Sequence, residues 1–298
     1  MAYKVSIVTP SFNQGRFIER TILSVLEQGV KDLEYFVVDG GSRDETVEIL
    51  KRYESRLWWV SEPDRGQADA VNKGLRRCRG DLIGWLNSDD IYYPGMVAAA
   101  CEFLASRPEV DVVYGDANHI DAQDKVIEPY PTEEWDPRRL VDACYLCQPA
   151  VFFRRSVIEK FGLLNERLNF CMDYEYWLRL AAGEASFGRL RQVIAGSRLH
   201  PETKTLGSRV EFHREINDML HERLGRVPDR WLVNYAHALL DEKGVPRTAR
   251  FRFPVLVSAA SIMAAMLWNR RISPGMLQLA GTWVGAGVQG ALPGRVKR

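Results

Sequence analysis

The segment after the first predicted strand lacks a glycine-rich phosphate loop. It contains neither a G-x-G-x-x-G run nor a glycine loop that carries Lys or Arg. The first absence argues against a dinucleotide-dependent oxidoreductase, and the second against a nucleotidyltransferase. The net charge is only +1, which makes no case for a nucleic-acid partner. Internal repeats are missing too, so the 298 residues predict one large globular domain with a smaller appendage.

Cysteine is scarce, with five residues in the whole chain. Cys144 and Cys147 have the C-x-x-C spacing, but no second pair completes a zinc site, so we predict reduced thiols in or near a core. The N-terminus shows no cleavable signal peptide, since Met1 is followed almost at once by the first apolar run. We therefore expect the protein in the reducing cytoplasm.

Acidic residues are missing from residues 245–298, which carry eight Arg or Lys. Within this end, residues 253–269 and 272–294 contain no charged residue and are separated by Arg270 and Arg271. Basic flanks around apolar helices are typical of segments that lie in an anionic leaflet on the cytoplasmic side. We therefore expect peripheral attachment to the inner face of the cell membrane. The alternative is a helical cap or a homo-oligomer interface.

Short apolar runs alternate with amphipathic stretches over the first part of the chain. Runs of strand length are Val5–Thr9, Tyr35–Asp39, Trp58–Ser61, Leu82–Leu86 and Asp111–Gly115. Helices are predicted between them, at about 15–28, 42–53, 66–78 and 96–105. Strands that alternate with helices of this length predict parallel pairing and a doubly wound α/β sheet.

Acidic residues follow three of these predicted strands. Asp39 ends the second, Asp64 follows the third, and the run from Asn87 through Asp90 follows the fourth. Ligands of an open α/β sheet bind beyond the carboxyl ends of its strands, so we expect one acidic crevice. Carboxylates there can hold a hard divalent cation that also binds phosphate. Asp39 as a turn residue, and Asp89 with Asp90 as helix caps, are the alternatives.

Five segments, in this order, resemble the signature blocks of the family 2 glycosyltransferases, which have the GT-A fold. They are Thr9–Asn13, Val37–Asp44, Ser61–Gln67, Leu86–Asp90 and Phe170–Arg179. The resemblance covers residues 3 to about 205 and implies inverting, metal-dependent transfer of a sugar from a UDP- or dTDP-linked donor. The implied acceptor is a saccharide or lipid-linked saccharide in surface polysaccharide assembly. A nucleotide-sugar-binding protein without turnover is the alternative.

The resemblance also implies roles for single residues. Residues expected at the donor nucleotide are Pro10, Phe12, Asn13, Asp39, Asp64, Asn87 and Asp89. Asp90, with Asp89 beside it, would hold Mg²⁺ or Mn²⁺, and His200 would complete the coordination sphere or bind a phosphate. Asp173 would act as the general base on the acceptor hydroxyl. Met172 stands where the family often has an acidic residue, so Glu175 is kept as the alternative base.

Three further residues have weaker signals. Lys204 and Thr205 follow His200 and are candidates for contact with the diphosphate, while Gln148 is either an acceptor-side residue or a structural one. The resemblance ends near residue 205. We therefore predict a GT-A domain over residues 1–215 and a helical region over 216–298 that contacts membrane or a second subunit.

Overall fold

A computed structural model of the chain describes residues 3–201, 203, 207–249 and 252–288. The chain divides into two compact units, one formed by residues 1–137 with 144–200 and the other by 138–143 with 201–298. The boundary predicted near residue 215 falls inside the helix Arg209–Leu224, whereas the structure divides the chain at His200–Pro201. The helical unit therefore begins earlier than the sequence pattern indicated.

The described part of the first unit contains one mixed sheet. Its strands are β1 Val5–Ser11, β2 Leu33–Asp39, β3 Trp58–Ser61, β4 Leu82–Trp85, β5 Ile91–Tyr92, β6 Val112–Ile120, β7 Val126–Pro129, β8 Val151–Arg154 and β9 Phe187–Arg198. The order is β3-β2-β1-β4-β8-β6-β9-β5, with β7 beside β6. The first four strands are parallel, and β8 runs antiparallel between β4 and β6. The predicted mostly parallel α/β sheet is confirmed.

Helices connect these strands and make up the second unit. The described helices are α1 Ile18–Leu26, α2 Thr46–Arg52, α3 Gln67–Leu75, α4 Met96–Ala105, α5 Pro137–Asp142, α6 Arg155–Phe161, α7 Met172–Ala182, α8 Arg209–Leu224, α9 Asp229–Glu242, α10 Arg252–Asn269 and α11 Pro274–Val288. The four helices predicted between the first strands correspond to α1–α4. The predicted C-terminal helical region is also present, as α8–α11.

The centre of the sheet explains why the first strand reads as a continuous apolar run. All seven residues of β1 are buried, because β2 and β4 flank this strand in the sheet and α3 packs on it. The parallel register also aligns the strand ends, with Ser11 opposite Asp39 and Asp39 opposite Ser61. The carboxyl ends of β1, β2 and β3 therefore lie side by side at one edge of the sheet.

The second unit is held together by α10, which packs with α9 and α11. Trp268 Nε1 donates a hydrogen bond of 2.7 Å to Asp218 of α8, and Asn269 makes two hydrogen bonds with the backbone of Val227. By length and composition, α10 is the one helix among the described residues that is able to cross a membrane, yet half of it is buried within the structure. Its apolar character is therefore used at least in part for packing inside this unit.

We expect Gly80→Ala to reduce the free energy of unfolding by about 1–3 kcal/mol. A Cβ atom at this position would lie 2.6 Å from the backbone nitrogen of Ser6 and 2.8 Å from the carbonyl carbon of Val5, both in the buried strand β1. Gly281→Ala is the control, because a Cβ atom there meets no atom within 4 Å. Urea unfolding followed by tryptophan fluorescence gives both values, and an unchanged midpoint for Gly80→Ala would contradict the close contact.

Candidate active site

The carboxylate of Asp39 organises the turn that follows β2. It is completely buried and accepts hydrogen bonds from the backbone N–H groups of Gly41 (3.1 Å) and Ser42 (2.8 Å). The hydroxyls of Ser42 (2.5 Å) and Ser61 (2.6 Å) also donate to it. The turn interpretation of Asp39 is therefore confirmed, while its expected contact with a nucleobase stays a prediction.

The loop after β1 is fastened to this turn. Asn13 adopts a left-handed conformation with φ 52°, its N–H donates to Ser42 Oγ (2.6 Å), and its Oδ1 accepts from Arg43 N (2.9 Å). Pro10 is buried under the loop, whereas the Phe12 side chain is 59% exposed. The fixed loop thus presents an aromatic ring at the surface, beside the strand ends.

Asp64 lies against the same turn. Its Oδ1 accepts a hydrogen bond from Gly66 N (2.8 Å), and its Oδ2 approaches Gly40 so closely that a Cβ atom at Gly40 would lie only 2.6 Å away. That Cβ atom would also lie 3.3 Å from the ring of Phe12. Glycine at position 40 therefore allows Phe12 and Asp64 to meet at the surface beside Asp39.

Asp90 is an interior residue that joins two strand ends. It is 3% exposed, its Oδ1 accepts from Arg198 N (2.8 Å), and its Oδ2 accepts from Asn87 Nδ2 (3.3 Å). The Asn87 amide cannot flip without losing two hydrogen bonds, because its Oδ1 already accepts from Trp85 Nε1 and Gln67 Nε2. Burial, followed by the neighbouring charge of Asp89, raises the pKa of Asp90 well above its ordinary value.

Asp89 differs from its neighbour in being partly exposed. Its Oδ2 lies 3.1 Å from Nε2 of His200, and the His200 ring packs against Phe17 with ring centroids 4.9 Å apart. The structure therefore places His200 beside the acidic pair, as predicted, but against Asp89. The carboxylate of Asp90 is buried and accepts hydrogen bonds from protein donors, and its assignment to a metal stays a prediction.

The Asp89–His200 pair is the set of side chains that would bind a divalent cation at this site. No group of three or more His, Cys, Asp or Glu side chains is placed to hold a metal ion anywhere in the described part of the chain. One carboxylate and one imidazole nevertheless suit an ion that takes its remaining ligands from substrate phosphates and water. The residues present fit such an ion only together with the substrate.

Arg198 is a site residue that the sequence analysis missed. Its guanidinium donates to the carbonyl oxygens of Asp89 (2.6 Å) and Asp121 (2.6 Å) and pairs with Asp124, although the side chain is buried. Its position in the sequence could have indicated this role. Arg198 stands two residues before His200, and alternate residues of an extended segment share a face. It holds the turn that carries the two carboxylates.

Asp173 lies in the first turn of α7, at the helix start where the sequence placed it. Its Oδ1 accepts a hydrogen bond of 2.7 Å from Tyr174 N. Burial raises the pKa of the Cys147 thiol, and the charges of Asp90, Cys144 and Asp173 raise it further. The role of Asp173 as the general base stays a prediction.

Glu175, the alternative base, is occupied by a structural contact. It is buried and forms an ion pair of 3.0 Å with Arg179, one turn further along α7. Arg179 in turn donates to the carbonyl oxygens of Phe161 (2.6 Å) and Leu163 (2.8 Å). Glu175 therefore helps to hold the segment before the helix, and the choice between Asp173 and Glu175 as the base stays a prediction.

The weaker candidates have different outcomes. Gln148 is buried and its Nε2 donates to the carbonyl oxygen of Trp85 (2.6 Å), so the residue has a structural use; an acceptor contact stays a prediction. Lys204 and Thr205 lie outside the described residues. Cys144 and Cys147 are free thiols, as predicted.

Comparison with known proteins identifies the family of this chain. The family model described as "Glycosyl transferase family 2" matches residues 6–162. An uncharacterized glycosyltransferase of Mycobacterium tuberculosis is 34% identical over 182 residues, which are 59% of this chain and 68% of that protein. An uncharacterized glycosyltransferase of Rickettsia prowazekii is 28% identical over 81% of this chain and 79% of its own length. A chondroitin synthase of Escherichia coli is 27% identical over 74% of this chain, but only 33% of its own length.

Solved structures share the fold. S. aureus TarS 1–349 in complex with UDP-GlcNAc has a TM-score of 0.64 and 15% identity, over 97% of this chain and 92% of that one. The Pyrobaculum calidifontis mannosyltransferase PcManGT, in complex with GDP-Man and Mn²⁺, has a TM-score of 0.59 and 18% identity, over 97% and 85%. The sheet is thus that of the GT-A glycosyltransferases. Because the family model covers more than half of the chain, the protein belongs to glycosyl transferase family 2.

Proposed function

We propose that the protein is an inverting, metal-dependent glycosyltransferase with a UDP- or dTDP-sugar donor. The observation that carries this proposal is the arrangement at one edge of the sheet, where Phe12, Asp64 and the Asp89–His200 pair follow the ends of different strands. Complexes of the structural neighbours with UDP-GlcNAc and GDP-Man support a nucleotide-sugar donor. A saccharide or lipid-linked saccharide acceptor, in surface polysaccharide assembly, is supported by the chondroitin synthase among the relatives.

The donor base would bind beside Phe12. An exposed aromatic ring on a fixed loop offers a flat apolar surface on which a base can stack. Asp64 lies next to this ring, and its Oδ2 lies beside Gly40. This oxygen would accept hydrogen bonds from a nucleobase. Asp39 would fix the position of this site, because it accepts hydrogen bonds from the turn that carries Gly40 and Gly41.

The diphosphate would lie beside Asp89 and His200. Bound there, Mg²⁺ or Mn²⁺ supplies Lewis-acid stabilisation of the charge that develops on the leaving diphosphate. The Mn²⁺ complex of the mannosyltransferase supports a divalent ion in this fold. In this chain Asp89 and His200 would hold the ion, while buried Asp90 and Arg198 keep the turn in place.

Asp173 would accept the proton of the attacking acceptor hydroxyl. A positioned carboxylate contributes a factor of about 10² to 10⁴ to such a step. Displacement of the nucleotide by that hydroxyl in a single step inverts the configuration at the transferred sugar carbon. A binding protein without turnover was the alternative from sequence, and family membership together with the position of Asp173 supports the transferase.

Asp89→Asn should remove the gain in UDP affinity that Mn²⁺ provides, because a neutral amide is a poorer ligand for a hard cation. The free energy of unfolding should change by less than about 0.5 kcal/mol, since the Asp89 side chain is partly exposed. Calorimetric titration of UDP with and without Mn²⁺, together with urea unfolding, measures both quantities.

Asp90→Asn is the matched variant, for which we expect lower stability and a retained Mn²⁺ effect on UDP binding. The new amide would point a donor at Asn87 Nδ2, so the free energy of unfolding should decrease by about 1–3 kcal/mol. The Mn²⁺ effect on UDP binding should persist in the protein that remains folded. If Asp90→Asn abolishes the Mn²⁺ effect at unchanged stability while Asp89→Asn retains it, then Asp90 is the ligand, as the sequence analysis assigned.

Asp173→Asn should reduce turnover by a factor of about 10² or more while donor affinity stays near the wild-type value, because only a transition-state interaction is lost. Glu175→Gln is the control: it should weaken the contact with Arg179 and reduce stability, with a much smaller effect on turnover. Release of UDP or dTDP from a panel of nucleotide sugars gives the rates. Retained turnover in Asp173→Asn, with loss in Glu175→Gln, would make Glu175 the base.

A further inference from the structure

One face of α10 is exposed, apolar and bounded by arginine at both ends. Its exposed residues are Arg252, Val255, Ala259, Met263 and the adjacent pair Met266 and Leu267, with spacings of three or four up to that pair, and exposed Arg270 directly follows the end of the helix. This set is called the α10 stripe below. Met263 and Leu267 are 64% and 68% exposed, and no charged residue interrupts the stripe between its two arginines. Contiguous exposed apolar surface of this kind marks an interaction site.

The opposite face of α10 is packed within the second unit. Phe253, Val257, Ala264 and Trp268 are buried, and the Trp268 indole donates to Asp218. A helix of 18 residues is about 27 Å long, near the lower limit for spanning the roughly 30 Å hydrocarbon core of a bilayer. Crossing a membrane would also strip these buried contacts from half of the helix. The stripe is therefore suited to lie along a surface.

An arginine-rich cleft adjoins one end of the stripe. It is a cavity of about 400 Å³ whose lining includes Arg226, Arg230 and Arg271, together with Asn269 at the end of α10. Arg139 adds a fourth arginine, against two carboxylates in the lining, and one of these, Asp229, accepts a hydrogen bond from Ser273. The guanidinium group matches the geometry of phosphate oxygens, so the cleft suits a phosphate group.

We propose that the α10 stripe and this arginine cleft form a docking surface for an anionic phospholipid bilayer. The apolar side chains of the stripe insert among the acyl chains, and the arginines bind headgroup phosphates, as in helices that lie in the membrane interface. Charge favours this partner over a second copy of the chain. The stripe itself contains no acidic residue, so pairing of two stripes would bring their bounding arginines together without a carboxylate from either stripe, whereas an anionic bilayer supplies opposite charge along the whole surface.

The surface belongs to the second unit alone, so it is tested separately from transfer. Flotation of the full chain with phosphatidylcholine vesicles, with and without about 30 mol% phosphatidylglycerol, measures docking. We expect strong flotation with the anionic vesicles and weak flotation with phosphatidylcholine alone, where only the apolar contacts act. It should weaken in about 1 M salt, where the Debye length falls to roughly 3 Å, but not vanish, because the inserted apolar contacts are not screened.

Two double variants test the two parts of the surface. Arg270→Gln with Arg271→Gln should reduce vesicle partitioning by about fivefold for each arginine. Met263→Gln with Leu267→Gln should reduce it at least about tenfold and remove the salt-resistant part. The control combines Ile127→Gln with Arg56→Gln, exposed residues of the first unit, and should float like the wild type. Unfolding curves and UDP binding verify that each variant is folded.

Three results would overturn the proposal. The first is a wild-type chain that floats with neither vesicle. The second is a stripe variant that floats as well as the control, which leaves only charge attraction. The third is a dimer, seen by sedimentation without vesicles, that the stripe variant converts to monomer, so that the stripe binds a second copy. A wild-type chain that floats but binds no nucleotide would instead contradict the proposed transferase and leave the docking surface standing.

Discussion

The hydrogen bonding of the buried Asp39 carboxylate is the constraint on which the carboxyl ends of β1, β2 and β3 depend. A carboxylate without partners in a protein interior is costly, and here four donors from the β2–α2 turn and from β3 satisfy it. Ser42, one of these donors, also accepts from Asn13 in the loop after β1. One buried charge thus connects the ends of three parallel strands, and the exposed groups at that edge derive their positions from it.

The two neighbouring carboxylates after β4, Asp89 and Asp90, have different surroundings. Adjacent residues of a tight turn point in different directions, so Asp90 enters the interior toward Arg198 while Asp89 meets His200. The interior residue links this turn to the end of β9, which the sheet order places several strands away. The acidic pair therefore combines an anchor and a candidate ligand, and the two functions require different surroundings.

The sequence predicted the features that depend on local pattern. Apolar runs and their acidic ends located the strands and the crevice, because parallel strands align their carboxyl ends. The choice between Asp89 and Asp90 was beyond it, since that choice depends on contacts with Arg198 and His200, more than a hundred residues away. The Glu175–Arg179 ion pair is local by contrast, but its four-residue spacing is common in helices and does not by itself show that the pair forms. Side-chain contacts, and not the pattern of residue types, therefore separate the roles that the sequence left open.

The burial of the Cys147 thiol has a practical consequence. Alkylating reagents attack the thiolate, and burial with nearby negative charge raises the pKa of Cys147, so this form is rare in the closed protein at neutral pH. Labelling of Cys147 then requires the surrounding segment to open and admit both water and reagent. The rate of labelling would therefore report how often the segment around Cys147 opens.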